Sequence, residues 1–133
     1  MTTFVDTSAF YALLSDGDTD SEPAARWLDE VAARGDEHLI THNYVLTESI
    51  ALIHRRLGSA LVRTFIDQLL PVCDVRFVDH ELHARATAAY LGGLSRTSSF
   101  VDRMSFELMR SEGIRRAFAF DRDFAREGFE TVP

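Results

Sequence analysis

With 133 residues, 46% of them hydrophobic and 26% charged, the chain has the make-up of one globular domain with a single core. No apolar run approaches the roughly 20 residues that span a bilayer, no secretory leader is expected ahead of the first strand, and a lone cysteine, Cys73, excludes an internal disulfide or a cysteine-based metal site. The formal charge of −7 weakens a nucleic-acid reading, but it is concentrated between Asp16 and Glu37, where eight acids face only Arg26 and Arg34. Beyond His83 the charges nearly balance, and every basic residue other than histidine is arginine. A reducing cytoplasm is the expected location.

The chain opens on an apolar strand, Phe4-Val5, that stops at Asp6 and turns through Thr7 and Ser8 into a helix ending near Leu14. A polar break at Ser15 to Asp18 has turn chemistry. A second helix starts around Ser21, with Pro23 in its first turn, and ends at Gly35-Asp36. A second buried strand follows at His38 to Thr41. Asn43 is expected to cap a third helix reaching about Arg56, with Leu46, Ile50, Ile53 and Leu57 on one stripe. Ala60 to Leu70 reads as a fourth helix closed by Pro71, Val75 to Val78 as a strand, and Glu81 to Leu94 as a helix ending in Gly92-Gly93. A polar loop at Arg96 to Ser99 leads to a helix from Phe100 to Ser111. Ala117 to Phe120 is expected as a buried strand ending on Asp121. A short helix at Arg122 to Arg126 and a last strand at Gly128 to Val132 complete the chain. Strands separated by helices point to a single α/β domain over residues 1–133, a three-layer α/β/α sandwich with a mainly parallel sheet of four to five strands.

Four acids fit a solvated face poorly. Asp6 and Asp121 each stand where an apolar strand turns into a helix, so a parallel sheet would bring both to its carboxyl edge, where open α/β folds bind ligands. Glu48 borders the apolar stripe of its helix. Asp102 shares a helix face with Phe106 and Met109. Each also has a plain structural explanation: Asp6 and Asp121 as helix caps, Asp102 as partner of Ser99 in a capping box, Glu48 as a boundary residue reaching solvent. Together, however, neighbouring buried carboxylates repel, and such a cluster persists when a cation sits in it. Oxygen ligands alone select Mg²⁺ or Mn²⁺, the usual apparatus of phosphodiester hydrolysis.

Val5-Asp6-Thr7-Ser8-Ala9, Thr47-Glu48, Ser99-Phe100-Val101-Asp102 and Phe120-Asp121-Arg122-Asp123-Phe124, in that order along almost the whole chain, resemble the PIN-domain family, most closely its VapC toxin branch. The resemblance implies a Mg²⁺- or Mn²⁺-dependent endoribonuclease, usually a homodimer, held inactive by a cognate VapB-like antitoxin. It implies that Asp6, Glu48, Asp102 and Asp121 hold metal and carry catalysis, supported by Ser8, Thr7 and Asp123. Many relatives carry Ser or Thr where this chain has Ala119, which leaves Ser8 or Thr7 to orient the acids. RNA would be gripped by arginines flanking the late acids, with Arg96, Arg103, Arg115, Arg116 and Arg122 as candidates. Hydrolysis by in-line attack of water would leave a 5′-phosphate and a 3′-hydroxyl. Trp27, Leu28 and Phe65 are open to two readings, a partner surface or the core.

Three other readings compete. A nuclease acting on DNA would look the same in sequence. A non-catalytic interaction module would tolerate loss of Asp6. A phosphoaspartate enzyme is disfavoured because it needs a lysine, and because Ser8 stands where a phosphatase of that kind carries its second acid.

Overall fold

The computed structural model describes all 133 residues. Five strands, β1 (Thr2–Val5), β2 (His38–His42), β3 (Asp74–Arg76), β4 (Arg116–Phe118) and β5 (Glu130–Val132), form one sheet in the order β3-β2-β1-β4-β5. Every neighbouring pair is parallel, with Phe4 level with Ile40 on one side and with Ala117 on the other. The helices are α1 (Thr7–Leu14), α2 (Ser21–Arg34), α3 (Asn43–Leu57), α4 (Ser59–Thr64), α5 (His80–Gly92), α6 (Phe100–Glu112) and α7 (Asp123–Arg126).

Side-chain alternation along β1 sends Phe4 and Val5 to opposite faces of the sheet. On one face Trp27 of α2 lies 4.5 Å from the Phe118 ring, and Phe10 of α1 meets Phe65 edge-on at 4.9 Å. On the other, Phe4 stacks at 6.1 Å on Phe124, which Phe106 of α6 meets edge-on at 5.0 Å. Helices on both faces make the three layers, and the parallel strands are hydrophobic on both sides, as such a sheet requires. Trp27 and Phe65 are therefore core residues, and Leu28 is partly buried against them.

Several boundaries depart from those expected. The cap of α3 is His42, not Asn43: the His42 Nδ1 accepts from the Tyr44 and Val45 amides, both at 3.2 Å. The Asn43 Oδ1 instead accepts from the Val78 amide at 2.8 Å, fixing the stretch after β3. The expected helix from Ala60 to Leu70 is broken into α4, one π-helical turn (Phe65–Leu69) and one 3₁₀ turn (Leu70–Val72). Pro71 has no amide proton and its ring crowds the carbonyl four residues back, so the backbone widens ahead of it. Strand β3 begins at Asp74 and ends at Arg76, and α5 begins at His80, capped by the Asp79 carboxylate. Strand β4 ends at Phe118, so Asp121 sits in the turn after the strand and not at its last residue. No helix is long and apolar enough to cross a membrane.

The chain reverses its direction of winding between β1, the central strand, and its neighbour β4. A crevice opens at the carboxyl ends of strands at such a switch point.

A candidate active site of clustered carboxylates

Asp6 leaves β1 on one side of the crevice and Asp121 follows β4 on the other. The Asp6 carboxylate caps α1 through its Oδ2, which accepts from the Ser8 amide at 3.1 Å and the Ser8 hydroxyl at 2.7 Å. The Ser8 Oγ in turn accepts from the Phe120 amide at 3.0 Å, tying the end of β1 to the turn that carries Asp121. Thr7 behaves differently. Its hydroxyl accepts from Ser49 at 3.2 Å inside the α1–α3 contact, away from any carboxylate. Of the two hydroxyls that could compensate for Ala119, Ser8 is the one bonded to an acid.

Asp102 enters from the first turn of α6 in a complete capping box. Its Oδ2 accepts from the Ser99 amide at 2.9 Å, and its amide donates to the Ser99 Oγ at 3.1 Å. Asp121 Oδ1 accepts from the Asp123 amide at 2.9 Å. Asp102, Asp121 and Asp123 each bring one carboxylate oxygen within 4.8 Å of the others. Asp123 is also bound by Thr97 (3.3 Å), Ser98 (3.3 Å) and Arg126 (3.1 Å), so it anchors the loop that launches α6. Thr97, Ser98 and Arg126 escaped the sequence reading because their common partner lies 25 or more residues from the first two.

The electrostatics link these acids into one group. Burial pushes the Asp6 carboxyl from 3.8 up to about 7, and nearby Asp102 and Glu48 add to the rise while the Ser8 bonds oppose it. Burial likewise raises Asp102 to about 6, with the charges of Asp121 and Glu48 adding to it and the Ser99 bonds opposing. Asp102 thus stands between two subgroups, Asp6 with Glu48 and Asp121 with Asp123. The caps occupy one oxygen of Asp6, Asp102 and Asp121, and the other oxygen of each has no protein partner. None of these free oxygens is sealed from solvent. Carboxylate oxygens free of protein partners at an open crevice, two of them on the hard-to-ionise Asp6 and Asp102, are a donor set that fits a hard divalent cation.

The arginine candidates divide. Arg122 is exposed beside Asp121, and Arg96 is exposed on the loop before α6. Arg103 is buried, with its Nη1 2.9 Å from Glu127. Arg115 and Arg116 lie at the amino edge of the sheet, opposite the acids. There Arg116 donates at 2.6 Å to Glu37, whose side chain is only 2% exposed and also accepts from Thr3. The structure does not bring these two arginines to the acidic crevice.

A PIN-domain family model matches residues 3–130. A curated relative from Mycobacterium tuberculosis, described as the 23S rRNA-specific endonuclease VapC20, is 37% identical over 131 residues, covering 97% of this chain and 96% of its own. The crystal structure of M. tuberculosis VapC20, described as a Sarcin-Ricin loop cleaving toxin, superposes with a TM-score of 0.86 at 35% identity over the full length of both chains. The fold is also that of VapBC2 from Rickettsia felis bound to a promoter DNA fragment, with a TM-score of 0.72 at 10% identity over 98% of this chain and 97% of that one. FitAcB from Neisseria gonorrhoeae aligns with a TM-score of 0.68 at 14% identity, over 100% and 97% of the two chains. Matched from its first strand to its last, with its acids gathered where β1 and β4 diverge, the chain belongs to the PIN-domain family.

Proposed function

We propose that the protein is a metal-dependent endoribonuclease, the toxin of a toxin–antitoxin pair, and that Asp6, Glu48, Asp102 and Asp121 are its catalytic and metal-holding residues. The observation that carries this reading is the convergence of these acids at the switch point, with Asp6 and Asp102 both hard to ionise in the bare protein. The near-full-length likeness to an rRNA-cleaving relative supports RNA as the substrate class. Mg²⁺ or Mn²⁺ held there would activate water and draw charge from the scissile phosphate. The protein's own part is to keep the carboxylates preorganised. Ser8 fixes the Asp6 rotamer through Oδ2, the Phe120 amide fixes Ser8, and Ser99 fixes Asp102. Asp123 holds the Thr97–Ser98 loop in place behind them. In-line attack by water from the solvent side would leave a 5′-phosphate and a 3′-hydroxyl.

A VapB-like antitoxin would silence the enzyme by covering the crevice, and a basic side chain inserted among the acids would suit their charge. A homodimer is the proposed assembly, checked by light scattering of the purified toxin. The central experiment is cleavage of total RNA and of a matched DNA strand by antitoxin-free protein, in Mg²⁺, in Mn²⁺ and in EDTA. RNA cleavage restricted to the metal-containing reactions and absent from Asp102→Asn is the expected result. Cleavage of equal rate in EDTA or in Asp102→Asn would sink the proposal, and cleavage of DNA alone would transfer it to the other nucleic acid.

A further inference from the structure

Next to the acids, and sharing Asp123 with them, lies a second hollow of about 330 Å³ with no apolar lining residue. Arg96, Arg103 and Arg126 project into its walls, with the Thr97 and Ser98 hydroxyls between them. The local charge is anomalous for a protein of net charge −7. Around Glu127 stand Arg103 at 2.9 Å, Arg110 at 2.8 Å and Arg96 at 3.7 Å, and Arg126 stands 3.1 Å from Asp123. Arg110 lies outside the hollow, so three guanidinium groups meet two carboxylates within it, an excess of one positive charge beside a cluster of negative ones. The arginines hold the Glu127 carboxylate ionised: burial pushes its pKa up, but Arg110 and Arg103 outweigh that and the net shift is downward.

Ion pairing does not saturate these cations. Arg103 is only 6% exposed, yet its Nη2 has no hydrogen-bond partner and is the one buried side-chain polar atom so left. That nitrogen lies beside Gly93, outside the hollow, and the guanidinium packs over the Phe106 ring at 5.5 Å, so Arg103 belongs to the wall and the free donors are those of its two neighbours. Arg96 and Arg126 are each 65% exposed, with most of their donors turned to solvent. An anion with several acceptor oxygens is the ligand such a wall of planar donors matches.

We propose that this hollow binds a backbone phosphate of the nucleic-acid strand, adjacent to the phosphate that lies at the carboxylates. The inference rests on the nuclease reading for the source of the phosphate, and on the arginines alone for its chemistry. One phosphate is held by cations, so that its neighbour enters an acidic crevice that would otherwise repel it. Arg96 and Arg126 are binding residues in this scheme; Glu127, held by Arg103, steadies Arg96, and Asp123 steadies Arg126.

The test uses Asp6→Asn protein in EDTA, so that binding is measured without cleavage. The parent, an Arg96→Gln/Arg126→Gln double variant, each of its single variants and the one-charge control Arg115→Gln are titrated with a hairpin RNA at several salt concentrations. Both substituted sites of the double variant are exposed, so the fold is retained. The expected result is a Kd raised about tenfold in the double variant, with the slope of log Kd against log salt smaller by about one to two, and a Kd for Arg115→Gln like the parent's. A double variant that binds as tightly as the parent overturns the pocket, and so does an Arg115→Gln that weakens binding as much as either single variant. If no protein in the set binds RNA, the nuclease reading fails on its own and inorganic sulfate decides the pocket. A sulfate-induced rise in Tm lost in the double variant supports an anion site there; a rise that persists, or none in the parent, overturns it.

Discussion

Asp6 is asked for opposite things by the fold and by the site. As a cap it is well bonded, but it is 3% exposed and its ionised form is disfavoured, with the carboxyl raised to about 7 by burial. A rise of about three pKa units is worth on the order of 4 kcal/mol at pH values above it. Asp6→Asn keeps the oxygen that accepts from Ser8 and removes the charge. It should raise the Tm of metal-free protein at pH 8, change it little at pH 4, and abolish RNA cleavage. A calorimetric scan in EDTA at both pH values checks the first two, and a lower Tm at pH 8 would contradict the argument. The pair Thr7 and Ser8 makes a second contrast. Ser8→Ala removes bonds to Asp6 and to the Phe120 amide, so stability should fall by about 2 kcal/mol and cleavage by tenfold or more. Thr7→Ala loses its contact with Ser49, in the α1–α3 packing, and should lower stability while leaving the cleavage rate within about twofold. Denaturant titration and single-turnover cleavage on the same preparations separate the two effects.

At the level of elements, α3 carries Glu48, whose charge is felt by Asp6 and Asp102, and its start is set by a buried histidine. Since His42 Nδ1 accepts two amide protons, the ring carries its own proton on Nε2 and donates it to Ser105 Oγ, 2.9 Å away on α6. Ser105 passes its proton on to the Val101 carbonyl at 3.0 Å. One side chain thereby caps the Glu48 helix and ties it to the Asp102 helix. His42→Ala loses the cap, the tie and the ring packed 5.5 Å from Phe4, and should cost about 3–5 kcal/mol. His42→Asn restores a capping oxygen and should recover about 1 kcal/mol of that, as chemical denaturation will show. This cap also marks where the sequence stopped being legible. Period and composition located every strand and nearly every helix, and they sent Asp6 and Asp121 to the same side because a parallel sheet has only one carboxyl edge; Glu48 and Asp102 joined them in the reading through the family resemblance. Local chemistry was legible too, as with Ser99 and Asp102, which lie three residues apart and form the box. Histidine lies outside the usual capping residues, so Asn43 looked the better cap. The Arg116–Glu37 pair, 79 residues apart, and the gathering of arginines on Glu127 leave no local signature. Arg103 and Arg116 therefore resembled solvated arginines free to meet RNA.

Over the whole molecule, these buried groups set pH dependences of opposite sign, and the opposition makes the metal visible in a stability measurement. His42 is lowered from 6.5 to about 3 by burial. Its contribution is full above 6.5 and is lost as pH falls toward 3, because the unfolded chain takes up the proton that the folded one refuses. Asp6 and Asp102 are raised from 3.8 to about 7 and about 6. Their contribution is full below 3.8 and is lost as pH rises through those values, because the unfolded chain ionises first. Between about pH 4 and 6 the two acids outweigh the one histidine by one proton, so the stability of metal-free protein should fall by about 1.4 kcal/mol per pH unit, and its Tm with it. Removing both acidic terms in Asp6→Asn/Asp102→Asn leaves His42 uncompensated, and Tm should climb with pH across that window. Millimolar Mg²⁺ should give the wild type a similar climb, since a cation held by the carboxylates favours their ionised forms and binds only the folded chain. The double variant should show no response to Mg²⁺ at any pH. Tm measured from pH 4 to 8 for both proteins, with EDTA and with Mg²⁺, gives four curves, of which only wild type in EDTA should fall between pH 4 and 6. If the wild-type curves with and without Mg²⁺ coincide, the carboxylates share no ion. If the double variant in EDTA falls with pH as wild type does, the assignment of that fall to Asp6 and Asp102 is wrong.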